Sequence, residues 1–164
     1  MRRREIDTVQ LAFCLGRLKS HLRITSNDLD GELMNKLTAA IDSAEHFIGR
    51  VIPLSTITET LPFSSVVPLS RPLVSVDGIE VDDTPIDLDT CEVDVFTGTV
   101  SFPDETDGKA VKVVYNAGMG QIPADIVSAI LLIASSLFSN PMDSVETLPK
   151  ASSRLLRPYR NYEL

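Results

Sequence analysis

The residues whose types and spacing could do chemistry are, first, glycines. In VVYNAGMGQIPADIVSAILLIASSLF, Val113 to Phe138, a β-branched run passes through Gly118 and Gly120 to Pro123 and then into a long apolar stretch. This is the outline of a dinucleotide-binding loop. Such a loop needs three glycines: one for the turn, one for close approach of the pyrophosphate, and one for helix–strand packing. Here the third position is Pro123. No strand-like segment follows the apolar run, so no βαβ unit closes around the loop, and the preceding strands read as hairpins. The pattern is therefore read as a structural joint, where Gly118 and Gly120 let the chain leave a strand and turn into a helix opened by Pro123.

The other candidates carry less. His21 and His46 lie at the ends of two predicted helices with no Cys or His at ligand spacing, and read as solvated or capping residues. DDTPIDLDTCE, Asp82 to Glu92, is acidic enough to raise calcium but lacks the glycine and ligand spacing of an EF-hand loop. No Asp or Glu sits in an apolar stretch that would raise its pKa for acid–base work. There is no Gly-x-Ser-x-Gly elbow and no Cys/His arrangement. Cys14 and Cys91 make no C-x-x-C pair; Cys14 reads as a small core residue. The expectation is a chain with no catalytic residues, no cofactor and no metal.

Around these residues the pattern predicts four segments. Leu11, Leu15, Leu18 and Leu22 mark an amphipathic helix over about 8–22. Ser26 or Asn27 is a candidate N-cap for a second helix over about 28–48, with Leu33, Leu37, Ala40, Ile41, Ala44 and Ile48 on one face and Gly49 just past its end. From about 51 to 117 the period falls to two, and Asp77-Gly78 and Thr97-Gly98 read as hairpin turns. A third helix follows over about 123–139, with Pro123 at its first position and Asn140-Pro141 at its end. In it Ile126, Val127, Ile130, Leu131, Leu132, Ile133, Leu137 and Phe138 cover nearly every angular sector without a charge. A helix apolar all round has to be buried on most sides, in its own core or against a neighbouring subunit. The expected fold class is α+β: a helical bundle of two N-terminal helices plus a long apolar C-terminal helix, with an inserted antiparallel or mixed β-region, in one domain spanning 1–164.

Bulk properties narrow the function. The formal charge of −8 opposes general affinity for nucleic acid, whose phosphates are met by Lys and Arg. The charge is unevenly placed. Between Pro72 and Gly108 there are eleven Asp and Glu and no Lys or Arg. The first 24 residues and the tail from Lys150 are basic instead. In a subunit that stacks on others, such asymmetry could set polarity. The opening MRRREID has no apolar run behind it and is not read as a signal peptide. Ile126 to Phe138 would make a helix of about 20 Å, short of the roughly 30 Å of a bilayer core, so no membrane association is expected.

The order of segments resembles the head–tail connector proteins of tailed phages, also called adaptor or head-completion proteins. The resemblance rests on LGRLKSHLRITSNDLDGELMNKLTAAIDSAEHFIGRVI with its Leu18–Ile24 stretch, acidic cap and Gly49-Arg50 pair. It continues in Val113, Tyr115, Ala117 and Gly118, then Pro123 to Ile126, Ala129-Ile130 and Pro141. It closes on Leu148-Pro149, Leu155-Leu156 and Pro158-Tyr159-Arg160. It covers both ends of the chain well and the β-rich middle in outline. The resemblance implies a structural subunit of a ring of twelve copies in the virion neck, docked on the portal protein at the capsid vertex. Such a ring extends the DNA channel, through which DNA slides without sequence-specific binding, and presents a surface to the next neck or tail protein. The protein would be made and assembled in the host bacterial cytoplasm. It further implies that Ile126, Ile130, Leu131, Ile133 and Leu137 contribute to the subunit interface. An arm over about 150–164, with Arg154, Arg157, Tyr159, Arg160 and Tyr162, would be disordered in the free subunit and order on the portal. Two rivals remain: another ring-forming neck protein such as a tail terminator, and a small nucleotide-binding enzyme resting on Gly118 and Gly120.

Overall fold

A computed structural model describes residues 1–140 and 148–161. The chain forms two compact units, one from Met1–Asp7 and Pro53–Gly120, the other from Thr8–Ile52 and Gln121–Leu164.

The first unit is built of antiparallel strands. Its five-stranded sheet has the order β1-β2-β8-β4-β5, from Arg2–Ile6, Ser55–Pro62, Ala110–Ala117, Leu73–Val81 and Thr84–Ile86. β8 is central, and its alternation is strict: Val111, Val113, Tyr115 and Ala117 are buried, while Lys112, Val114 and Asn116 between them are half-exposed. Its register places Ile57 beside Tyr115 and Val113 beside both Glu59 and Ile79, so one face of three strands closes over the core. A second, three-stranded sheet has the order β3-β7-β6, from Val66–Pro68, Thr99–Ser101 and Glu92–Asp94. It buries Val67 and Val100, and just past β7 the Phe102 ring meets Phe63 at 5.3 Å.

One of the two turns expected in this unit departs from expectation. Asp77-Gly78 lies inside β4, at an irregularity in the pairing with β8, and makes no turn. The chain reverses instead at Asp82-Asp83, both with positive φ (46° and 64°), between Val81 and its partner Thr84. That is the geometry of a two-residue turn whose twist matches its strands. Asp82 tolerates it because its carboxylate accepts from the amides of Lys109 and Ala110. Thr97-Gly98 does turn the chain, between β6 and β7, with Gly98 at φ 67°.

The second unit is helical: α1 (Thr8–Leu22), α2 (Asp30–Ile48), α3 (Ala124–Ser139) and α4 (Lys150–Leu156), followed by a 3₁₀ turn, Arg157–Tyr159. α2 buries Leu33, Leu37, Ala40, Ile41, Ala44 and Ile48, and ends at Gly49 in the left-handed conformation. Neither Ser26 nor Asn27 caps it. The helix starts two residues later than expected, and its N-cap position, Leu29, makes no side-chain bond. Pro123 likewise is the N-cap of α3 rather than its first residue.

The expected architecture does not hold. Among the described residues there are four α-helices and two antiparallel sheets, where three helices and one β-region were expected. The apolar helix is not C-terminal, because α4 and the 3₁₀ turn follow it. Nor is α3 buried all round. A stripe of Ile126, Val127, Ala129, Ile130, Ile133 and Ala134 faces the core, while Ser128 is exposed and Leu131, Leu132, Ser135 to Phe138 are half-buried. Packing against α1, α2 and α4 covers one side of the helix, and its serines take the other. No described helix is long and apolar enough to cross a membrane.

Candidate functional site

The Gly-x-Gly pair is explained by the backbone. Gly118 closes β8 with φ 127°, and a Cβ there would collide with the Pro53 carbonyl and lie 2.7 Å from Leu54 Cα. Only glycine can pass so close to the neighbouring chain. Gly120 has nothing within 4 Å of a would-be Cβ, so it holds open no cradle that a side chain would fill. β8 pairs antiparallel on both sides, and among the described residues the next element after α3 is α4.

The titratable groups form structural networks. Tyr115, fully buried, donates its hydroxyl to Glu59 Oε1 at 2.9 Å and accepts from the Ser70 amide at 3.3 Å. Arg2 joins the same group, with Nε 3.6 Å from Glu59 Oε2 and an amino nitrogen 3.0 Å from Ser70 Oγ. Burial, aided by the Glu59 charge, pushes the Tyr115 hydroxyl above its usual range. Burial likewise pushes the Cys14 thiol up, which makes it a packing residue and no nucleophile. On the half-exposed face of the large sheet, an open cleft of about 510 Å³ is lined by Asp77, Glu80, Asp87, Asp89 and Lys112 among others. Lys112 is paired to Glu80 at 3.0 Å. No group of three or more His, Cys, Asp or Glu among the described residues is arranged to hold a metal ion.

Surfaces are the more informative candidates. Of the five interface residues expected on α3, Ile126, Ile130 and Ile133 are buried within the subunit, whereas Leu131 and Leu137 remain half-exposed. The arm expected to be disordered in the free subunit is folded over its described part. Leu156 and Ser152 of α4 are fully buried, the Asn161 amide donates to the Ile48 carbonyl at 2.8 Å, and the Arg160 guanidinium stacks on Phe47 at 5.5 Å. The Ile48 carbonyl ends α2 and has no partner inside that helix, so Asn161 satisfies it. Short polar ends are usually loose, but this one carries Leu156 into a core. Arg154, Arg157 and Arg160 are exposed and Tyr159 half-buried; Tyr162 lies outside the described residues.

Sequence reading missed two exposed apolar features. Phe96, 96% exposed, stands at the tip of the β6–β7 hairpin beside exposed Val95. The tip is rigidly made: the Asp94 carboxylate accepts from the amides of Phe96 (2.9 Å) and Thr97 (3.2 Å), and Gly98 donates to the Asp94 carbonyl at 2.9 Å. The hydrogen bonds from Thr97, side chain first, and the Phe96 amide hold the Asp94 carboxyl below its usual range. The signal was the break in alternation at Val95-Phe96, directly before Thr97-Gly98. On α1, Val9 (75%) and Phe13 (51%) are exposed one turn apart, and Arg17 lies over the Phe13 ring at 5.2 Å.

No protein-family model matches the chain, and no curated protein matches it. Solved structures with a similar fold come from gene transfer agent (GTA) particles. One is a chain in the neck of an empty GTA particle, computed with C6 symmetry, with TM-score 0.78 and 18% identity, covering 100% of this chain and 97% of that one. A chain in the neck of the native particle, computed with C12 symmetry, gives 0.77 and 18% over the same shares. A chain of the native GTA virion gives 0.77 and 17%, again over 100% and 97%. At such identity the likeness is one of fold.

Proposed function

We propose that this chain is a structural subunit of the neck of a phage-like particle, one of a closed ring of twelve copies. In this reading the ring docks on the portal at the capsid vertex, extends the DNA channel and offers an attachment surface to the next neck or tail protein. It is assembled in the host bacterial cytoplasm and acts by assembly, not turnover. The observation that carries the reading is the fold likeness over the whole chain to neck chains from particles treated with C6 and C12 symmetry. The charge of −8 supports it, because a channel wall that repels phosphates lets DNA slide. The four helices speak against the mostly β tail-terminator alternative, and the backbone role of Gly118 against a nucleotide enzyme.

Within this reading Leu131 and Leu137 are, of the five expected interface residues, the two left for a neighbouring copy, while Ile126, Ile130 and Ile133 hold the helix in place. The portal-binding surface is the exposed arginine face of α4 and the turn after it, presented as folded structure. Arg154→Glu with Arg157→Glu tests this without touching the buried Leu156. The account expects unchanged helical circular dichroism and loss of binding to the purified portal. Undiminished binding would remove α4 from the portal contact.

A further inference from the structure

A ring in which each copy contacts the next head to tail needs two different surfaces on every subunit that fit one another. The chain carries two such surfaces. One is the β6–β7 hairpin tip, where Phe96 projects from a turn fixed by Asp94. The other is the outer face of α1, where Val9, Ala12, Phe13 and Gly16 are exposed in successive turns. Gly16 has nothing within 4 Å of a would-be Cβ, which leaves room beside Phe13.

Charge complements the apolar match. The hairpin segment Glu92–Ser101 carries Glu92 and Asp94 and no Lys or Arg. α1 carries Arg17 and Lys19 and no Asp or Glu. Asp94 and Lys19 have local partners, and the Arg71 side chain lies beside Gly98 at this turn, so the complementarity is that of the two segments' own charges. An aromatic side chain held almost wholly in water on a preorganised turn loses little entropy on docking, and such anchors carry a large share of interface energy.

We infer that Phe96 of one copy docks against the Val9–Phe13–Arg17 face of α1 in the next copy, as the head-to-tail contact that propagates the ring. The inference rests on the ring reading of the function. It commits to a second copy of this chain as the occupant of both surfaces.

The test uses the full chain and its lack of tryptophan. In Phe96→Trp the single indole reports the tip directly. Its emission moves to the blue as the concentration rises and copies associate, read alongside mass by sedimentation. Phe96→Ser and Phe13→Asp each weaken association at least about thirtyfold, the loss of one hot spot. Phe96→Ser removes a ring that is 96% exposed, and leaves the melting temperature unchanged when it is read at a concentration where wild type is monomeric. Mixed together, these two variants form one-to-one pairs and nothing larger, since each retains one working surface. Three results overturn the inference: Phe96→Ser copies that associate like wild type, an indole that stays solvated in the associated species, or wild type that forms no assembly either alone to about 1 mM or on the portal. A ring that forms with Phe96→Ser unchanged would sink this contact and leave the neck-subunit reading standing.

Discussion

Replacing Tyr115 by Phe isolates the polar network at the centre of the large sheet. The ring keeps its packing, and only the hydroxyl is lost. Glu59 Oε1 then loses a donor at 2.9 Å and the Ser70 amide an acceptor at 3.3 Å. Glu59 is 9% exposed, so little water replaces the donor. Its remaining ion pair is long, 3.6 Å, to an Arg2 side chain that is half exposed, and contributes little. A hydrogen bond to a charged acceptor contributes about 1.5–3 kcal/mol. The Ser70 amide is only partly buried and can turn to water, so a total of about 2 kcal/mol is expected. For a chain of this size that lowers the melting temperature by about 4–8 °C. Urea unfolding followed by circular dichroism at neutral pH measures it, and Tyr115→Phe in a Glu59→Gln background should cost less. The folded state also holds the Tyr115 proton more tightly than the unfolded state, whose hydroxyl has the ordinary value of 10.0. Its contribution is therefore complete below pH 10.0 and is lost as pH rises through the higher folded value. The Phe variant lacks that alkaline loss. A change below about 0.5 kcal/mol at neutral pH, with an unaltered alkaline limb, would refute a sealed network.

Gly118→Ala should destabilise by at least about 3 kcal/mol, because φ 127° and the Pro53 and Leu54 backbone both oppose a Cβ. Gly120→Ala should be near neutral, and chemical denaturation compares the two. Leu156→Ala removes a fully buried side chain of α4 and should cost about 2–5 kcal/mol in the helical unit; a free arm would show no change in melting. The Phe96 and Thr97 amides should exchange slowly at neutral pH. Because the Asp94 carboxyl titrates below its ordinary 3.8, their protection should persist above that value and fade as pH drops through the lower folded one. Amide exchange followed by NMR across that range checks the sign, and protection that is flat with pH would count against the Asp94 turn.

Individual elements were legible where period and burial coincide. The six buried positions of α2 and its Gly49 terminus follow from a 3.6-residue stripe, and β2 and β8 from alternation. What escaped depends on partners far along the chain. Arg2–Ile6 reads as a charged opening, yet becomes an edge strand because β2 needs a neighbour, and Arg4 bonds Ser55 Oγ at 3.0 Å. α4 is too short to be stable alone; Leu156 in a core and Asn161 on the Ile48 carbonyl hold it. The turn at Asp82-Asp83 was hidden because its stabilising contacts come from Lys109 and Ala110. α3 was overread because hydropathy registers leucines without saying which side is covered. Of the surface residues, the arginines of the tail could be named from sequence, while Phe96 was marked only by the break in alternation at Val95-Phe96, and its exposure shows what that break means.

The most direct test of the central claim is the mass and image of the assembled species. The purified chain, alone and mixed with its portal, is measured by light scattering over a range of concentrations and then by negative-stain imaging. The account predicts a closed ring with a central hole and twelve copies, free or seated on the portal. A chain that forms no ring in either setting and does not bind the portal would contradict it.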